Sequence, residues 1–238
     1  MARLDDAEFV RDQYATEANL AARKAAYATA EGPDAREVLF AAVAEAKPRR
    51  VLEVGGGEGE LAERIVHELR AKLVGIDQSE RMVEIQRGKG LDARIGDVQE
   101  LPFAEGEFDV AVAAWMLYHV PNVDGALGEL ARVLTAGGRL VAVTNSTEHL
   151  RELTDLAGVT RLNRESEFRS ENGDELLRRH FSYVERRDAH GWVTFDDASL
   201  RAYAASWERL GPLLELPPLV EPLRARRETT IFVAEKVS

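Results

Sequence analysis

A carboxylate at Glu53, glycines at Gly55, Gly56, Gly57 and Gly59, and a second carboxylate at Asp77, 24 positions after the first, are the residues of this chain whose types and spacing point most directly to chemistry. Glycines in a strand-to-helix turn allow positive φ and let a ligand approach a backbone that has no Cβ. An acid at the tip of the following strand is where a ribose diol is held by a carboxylate that accepts two hydrogen bonds. The chemistry implied is the grip on a nucleotide-type cofactor. A glycine turn alone also closes ordinary strand-to-helix connections, so its meaning depends on the elements around it.

Those elements can be read in order. Val51-Leu52-Glu53-Val54 is a short buried strand, and Ala62, Ile65, Val66 and Leu69 recur with helical spacing while Glu63, Arg64 and Glu68 face out. Lys72-Leu73-Val74-Gly75-Ile76-Asp77 is the second strand, followed by Ser79 as cap of a helix through Met82, Val83 and Ile85. Residues 93–97 predict a third strand ending at Asp97, and residues 108–120 a fourth. Before the first strand, Ala35, Val38, Leu39, Ala42, Val43 and Ala46 form a helical stripe, begun after Gly32-Pro33-Asp34 and stopped at Pro48. After Asn122, the stripe Val123, Leu127, Leu130, Leu134 predicts a crossover helix ended by Gly137-Gly138. Residues 140–144, 183–186 and 229–234 supply the remaining strands.

As an ordered set, these residues resemble the class I S-adenosylmethionine-dependent methyltransferases, close to the small-molecule branch that includes the quinone-biosynthesis C-methyltransferases. The resemblance covers residues 35 to 144 and rests on Glu53-Val54-Gly55-Gly56-Gly57-Glu58-Gly59, Asp77, Gly96-Asp97 before Leu101-Pro102-Phe103, Leu117-Tyr118-His119-Val120, and Leu134-Thr135-Ala136-Gly137-Gly138-Arg139-Leu140. Gly56 and Thr135-Ala136 depart slightly from the family's pattern. The resemblance implies an α/β, Rossmann-like doubly wound sheet, mostly parallel with an antiparallel last strand, plus N-terminal helices and a small C-terminal cap. It also implies S-adenosylmethionine as cofactor. Gly55 and Gly57, with Gly56 between them and Glu53 beneath, would hold its methionine part; Asp77 would accept from the ribose, with Gln78 and Met82 beside the adenine. Asp97 would accept from the adenine amino group, Val98 would support the ring, and Ala114 and Trp115 would pass the amino group with their carbonyls. In such enzymes a leading segment often folds over the cofactor, and Tyr14 is its contact here. His119 and Tyr118 are the candidate orienting or base groups for direct in-line displacement on an O, N or C nucleophile.

Each of these residues also has a plainer role open to it. Glu53 can bond loop amides, Asp97 can cap a turn, Met82 can be core, and His119 can be packed beneath the cofactor. A dinucleotide is the rival cofactor, since Gly57, Gly59 and Ala62 fit G-x-G-x-x-G/A and Asp77 lies 20 positions after Gly57. Against an NAD-dependent oxidoreductase, Glu53 and Asp97 have no task there, and no Tyr-x-x-x-Lys pair follows residue 120. A protein that binds S-adenosylmethionine without turning it over is the non-catalytic alternative.

Composition bounds the rest. With 238 residues the chain predicts one domain: a helical lid at 1–34, a cofactor-binding core at 35–144, substrate-facing insertions with strand six at 145–228, and a last strand at 229–238. Thirty-one basic residues against 42 acidic ones give a net charge of −11, unsuited to a phosphate backbone, so no nucleic-acid partner is expected. The absence of cysteine removes disulfides, thiolate catalysis and Cys-based zinc sites, and no acidic triad for magnesium can be assembled, so no metal is expected. With no signal-like or membrane-length apolar run, a cytoplasmic monomer or homodimer acting on a small-molecule acceptor is expected. Two segments stand out as substrate-facing. Residues 149–170 carry Leu150, Leu153 and Leu156 and then Arg161, Arg164 and Arg169, and residues 190–227 carry Trp192, Leu200, Tyr203, Trp207 and Leu210 before a run of prolines.

Overall fold

The computed structural model describes residues 25, 27–158, 167–206 and 216–237. Helix α1 (Ala35–Glu45) is capped by the Asp34 carboxylate, which accepts the Arg36 N–H, and leads into β1 (Arg50–Val54). The chain then alternates through α2 (Glu60–Glu68), β2 (Lys72–Asp77), α3 (Glu80–Gly88), β3 (Asp92–Ile95) and β4 (Phe108–Ala114). A 3-10 turn (Leu117–His119) precedes α4 (Val123–Val133) and β5 (Leu134–Asn145). The rest comprises α5 (Arg151–Leu156), α6 (Gly173–Leu177), β6 (Tyr183–Phe195), α7 (Asp197–Ala205) and β7 (Leu223–Glu235).

Seven strands form one sheet in the order β3-β2-β1-β4-β5-β7-β6. β1 pairs in parallel with β2 and β4, β2 with β3, and β4 with β5, whereas β7 runs antiparallel to both β5 and β6. This is the doubly wound, mostly parallel sheet with an antiparallel last strand that the sequence predicts. Strand order reverses between β1 and β4, and in open sheets of this kind ligands sit outside the carboxyl ends at that reversal.

The central strands read as continuous apolar runs because both of their faces are covered. Val51, Val110, Val112, Val141 and Val143 pack with Leu39, Val43, Ala62 and Ile65 of α1 and α2. One residue on, Leu52, Val54, Ala111 and Ala142 turn to the opposite face, against Leu127 and Leu130 of α4, Phe168 and Leu177. A third apolar cluster lies apart, with Leu150, Leu153, Val193, Phe195, Leu200, Tyr203 and Ala225 drawn from α5, α7 and the ends of β6 and β7.

Several boundaries differ from expectation. β3 stops at Ile95 rather than Asp97, because Asp97 opens a turn in which its carboxylate accepts the Gln99 N–H at 2.8 Å. β4 stops at Ala114 rather than running to Val120, since Trp115 takes a positive φ of 53° and the chain then winds into the 3-10 turn. Gly137-Gly138 does not end α4. The helix stops at Val133, Leu134 already pairs with Phe108, and the glycines lie inside β5 where the β4 register shifts. β7 begins at Leu223, ahead of Thr229, and β6 continues to Phe195, ahead of the expected stop at residue 186. Tyr14, Arg161, Arg164, Trp207 and Leu210 lie outside the described residues, as does most of the expected lid at 1–34.

Gly173, the first residue of α6, packs on the buried Phe232 ring so tightly that an added Cβ would lie 2.5 Å from a ring carbon. Gly173→Ala is therefore expected to lower stability by about 1–3 kcal/mol through overpacking. A urea-unfolding midpoint equal to that of the wild type would contradict this packing.

Candidate functional site

Glu53, near the end of β1, is 2% exposed, and its Oε2 has no hydrogen-bond partner. The turn that follows lies directly on this carboxylate. A Cβ on Gly56 would sit 2.5 Å from Glu53 Oε2, so a side chain there would have to displace the carboxylate from its present place. Gly55 has φ of 66° and donates its N–H to Ile76 O at 2.8 Å, stitching the turn to β2. Gly57 is also left-handed, and its carbonyl accepts the side-chain amide of the buried Gln86 at 2.8 Å. Gly59, at φ 79°, starts α2 without any side-chain cap.

At the end of β2 the Asp77 carboxylate accepts the Ser79 N–H at 2.9 Å, and the Gly57 and Gln78 amides also donate to it. Burial raises its pKa while these amides oppose the rise. Beyond β4, the Trp115 N–H donates to Val143 O at 2.9 Å, holding a backbone conformation rare for a residue with a side chain. The rings of Tyr118 and His119 meet at 4.4 Å with their planes inclined by 62°.

Together these ends enclose a cavity of about 690 Å³ over β1, β2 and β4, well within the range of small-ligand sites. Of the residues singled out in the sequence, Glu53, Gly55, Gly56, Gly57, Asp77, Gln78, Met82, Val98, Ala114, Trp115 and His119 all line it. Asp97 does not: Gly96 and Val98 on either side reach the wall, while its own carboxylate is engaged by the backbone and side-chain amides of Gln99. Tyr118 stands behind His119 and is also off the wall.

Residues 52–142 match the family described as "Methyltransferase domain". Over that stretch the chain is similar to methyltransferases. It is 38% identical over 106 residues to the demethylmenaquinone methyltransferase of Thermus thermophilus, covering 42% of this chain and 48% of the relative. It is 34% identical over 117 residues to a ubiquinone/menaquinone biosynthesis C-methyltransferase of Geobacter, covering 45% and 50%. The match thus spans about half the length of these relatives. Among solved structures, phosphoethanolamine N-methyltransferase 2 of Haemonchus contortus, in complex with phosphomonomethylethanolamine and S-adenosylhomocysteine, superposes with a TM-score of 0.68 at 14% identity, over 100% of this chain and 61% of that one. That likeness is one of fold.

The cavity has walls that sequence reasoning missed. Asp34, Arg36, Glu37 and Leu39 of the α1 start, Leu61 and Arg64 of α2, and Met116 all reach the cavity. The one signal available was topological: a helix leading into the first strand must start at the carboxyl edge, above that strand's end. With them the wall carries seven carboxylates, from Asp34, Glu37, Glu53, Glu58, Glu60, Glu63 and Asp77, against two guanidiniums, Arg36 and Arg64. Arg64 is itself paired with Glu37 and Glu68. Among the described residues no group of three or more His, Cys, Asp or Glu side chains is arranged to hold a metal ion.

Burial, with the nearby Asp77 charge second, pushes the Glu53 carboxyl up from 4.5 to about 7. The folded chain therefore holds this proton more tightly than the unfolded chain, and stability falls as pH rises across that interval, levelling off above about 7. Glu53→Gln, which cannot ionise, is expected to exceed the wild type in stability at pH 8 by on the order of 3 kcal/mol and to match it near pH 4. Urea unfolding at the two pH values checks this, and an equal difference at both would exclude Glu53 as its source.

Proposed function

We propose that this protein is an S-adenosylmethionine-dependent methyltransferase acting on a small-molecule acceptor. The observation that carries the reading is the charge of the cavity, whose carboxylates outnumber its guanidiniums while Glu53 keeps a buried oxygen without a partner. S-adenosylmethionine carries a sulfonium and an ammonium and suits such walls. NAD, with its diphosphate, is repelled by them. The residues present fit the cofactor: Gly55 and Gly56 leave a side-chain-free cradle above Glu53, which would face the methionine ammonium. Asp77, already oriented by three backbone amides, would accept from the ribose, and Gln78, Met82 and Val98 would flank the adenine. The Asp97 side chain would reach the adenine amino group only by giving up its bonds to Gln99, so the Val98 backbone is the better-placed partner.

When bound, S-adenosylmethionine supplies an electrophilic methyl that an acceptor O, N or C nucleophile can take by in-line displacement. The task of the protein is then positioning and exclusion of water. Trp115 and Met116 close the β4 side of the cavity, and His119 presents its ring where an acceptor would enter. The names of the relatives make a reduced quinone ring the first acceptor to assay.

S-adenosylhomocysteine is expected to raise the melting temperature and NAD(H) to leave it unchanged; stabilisation by NAD(H) alone would reverse the choice of cofactor. Radiolabelled methyl transfer to demethylmenaquinol and to cell-extract small molecules then separates an enzyme from a protein that only binds. Asp77→Ala is expected to weaken S-adenosylhomocysteine binding by about 1–3 kcal/mol through lost hydrogen bonds to a charged acceptor. An unchanged dissociation constant by titration calorimetry would remove Asp77 from the site.

A further inference from the structure

A second polar cluster lies beyond the cavity, at the carboxyl end of β5 and the start of β7, and its centre is His149. Its Nδ1 accepts the Glu228 backbone N–H at 3.0 Å. In the neutral ring the proton must then reside on Nε2, which faces the Tyr27 hydroxyl at 3.0 Å. One backbone amide thus sets the polarity of the whole group, with His149 donating, Tyr27 accepting, and the Tyr27 proton left to be given onward. Tyr203 stands beside it, its ring edge-on at 6.3 Å. Burial, assisted by the Arg227 charge, lowers His149 to about 4. Burial, with Tyr203 second, holds the Tyr27 phenol well above its usual value. Both groups stay neutral around neutral pH, which makes them hydrogen-bond donors rather than bases.

Arg227 stands behind them. It is 7% exposed, gives Nη2 to the carbonyls of Glu31 at 3.2 Å and Pro33 at 2.6 Å, and has a buried Nε without a partner. Its neighbours Arg224 and Arg226 are paired with Glu31 and Glu152, but among the described residues no carboxylate lies within ion-pair reach of Arg227. A buried guanidinium left without an anion is costly, and in a chain with a net charge of −11 it is the exception. The cluster adjoins the cavity, since the Pro33 carbonyl that Arg227 holds precedes Asp34 on the cavity wall. β5 and β7 are the next two strands after β4, an offset of about 10 Å at ordinary strand spacing. His119 on the cavity wall touches the ring of Tyr118, which in turn acts electrostatically on Tyr27. Leu150, Leu153 and Phe195 supply apolar surroundings.

We propose that Tyr27, His149 and Arg227 form the acceptor-oxygen subsite, a set of positioning residues that takes a hydroxyl or ionised oxygen on an apolar ring and turns away a protonated amine. This rests on the methyltransferase reading above. In that arrangement the acceptor oxygen would accept a hydrogen bond from the Tyr27 hydroxyl, which keeps its proton, and Arg227 would favour an oxygen that carries negative charge. An ammonium would find donors and a cation where it needs acceptors. The two subsites are then opposite in character, one built for a cationic donor and the other for an electron-rich nucleophile.

The test uses the full chain saturated with S-adenosylhomocysteine and two probes of similar size, 1-naphthol and 1-naphthylmethylamine, the second protonated at neutral pH. Binding of 1-naphthol and not of the amine is expected. Tyr27→Phe and His149→Ala should each weaken 1-naphthol about tenfold while leaving S-adenosylhomocysteine affinity within twofold, and His149→Gln, which keeps an N–H donor, should restore part of the loss. Arg227→Gln should act in the same direction, with the Tyr27 variant carrying the test if that protein does not fold. The subsite is overturned if 1-naphthol does not bind, if the amine binds as tightly, or if Tyr27→Phe and His149→Ala leave 1-naphthol affinity within twofold. Failure of the wild type to bind S-adenosylhomocysteine is a separate result, which removes the methyl-donor reading and this subsite with it.

Discussion

Glu53 brings an ionisable group into the interior at the end of a strand covered on both faces, and much of the carboxyl edge follows from accommodating it. Its carboxylate occupies the volume that a Cβ at position 56 would take, and the turn above it is bare backbone. A bare turn can take the left-handed steps at Gly55 and Gly57. Those steps bring Gly55 against the side chain of Met116 and so bind the first strand's turn to the chain leaving β4. A carboxylate buried without a partner is unfavourable unless something else satisfies it. That cost is the physical reason the cavity reads as a place for a cation rather than as an empty fold defect.

Electrostatics divides the carboxyl edge. Over β1 and β2 the groups are acids whose protons are held more tightly than usual, Glu53 and Asp77 both being raised by burial. Over β5 and β7 they are donors, with a neutral imidazole, phenols and an arginine without an acid. His119 and Tyr118 stand between the two regions with their rings in contact. A reaction that moves an electrophilic group from a positive donor to an electron-rich acceptor is served by this division without a strong base at the junction.

The cavity over β1, β2 and β4 was legible in the sequence because its signals are local. Glycines next to a buried acid, apolar stripes with helical spacing and an acid closing a short strand each depend on neighbours within one or two turns. What was not legible depends on distant pairing. Leu134 extends the apolar stripe of α4 in the sequence, yet its pairing with Phe108 makes it the first residue of a strand. Asp97 lies beside the adenine position the resemblance predicts, but the choice of Gln99 as its partner is a side-chain decision that no spacing announces. The cluster of Tyr27, His149 and Arg227 depends on a Tyr27–His149 contact across 122 positions and an Arg227–Pro33 contact across 194, which only the folded chain creates. Trp192, placed in a substrate-facing segment, lies beneath the guanidiniums of Arg224 and Arg226.

β6 and β7 pair from Tyr183↔Glu235 to Phe195↔Leu223, whereas the β5 ladder on β7 ends at Asn145↔Thr229. The first part of β7 therefore pairs with β6 alone among the strands, and α5 and α7 pack against it. Ribbons of two strands twist more readily than wide sheets. Here both edges of the ribbon are tied, Glu31 bridging Trp192 on β6 and the Leu150 N–H donating to Arg226 O on β7, so the twisted end of the sheet fastens the segment ahead of α1 and the start of α5 to one frame.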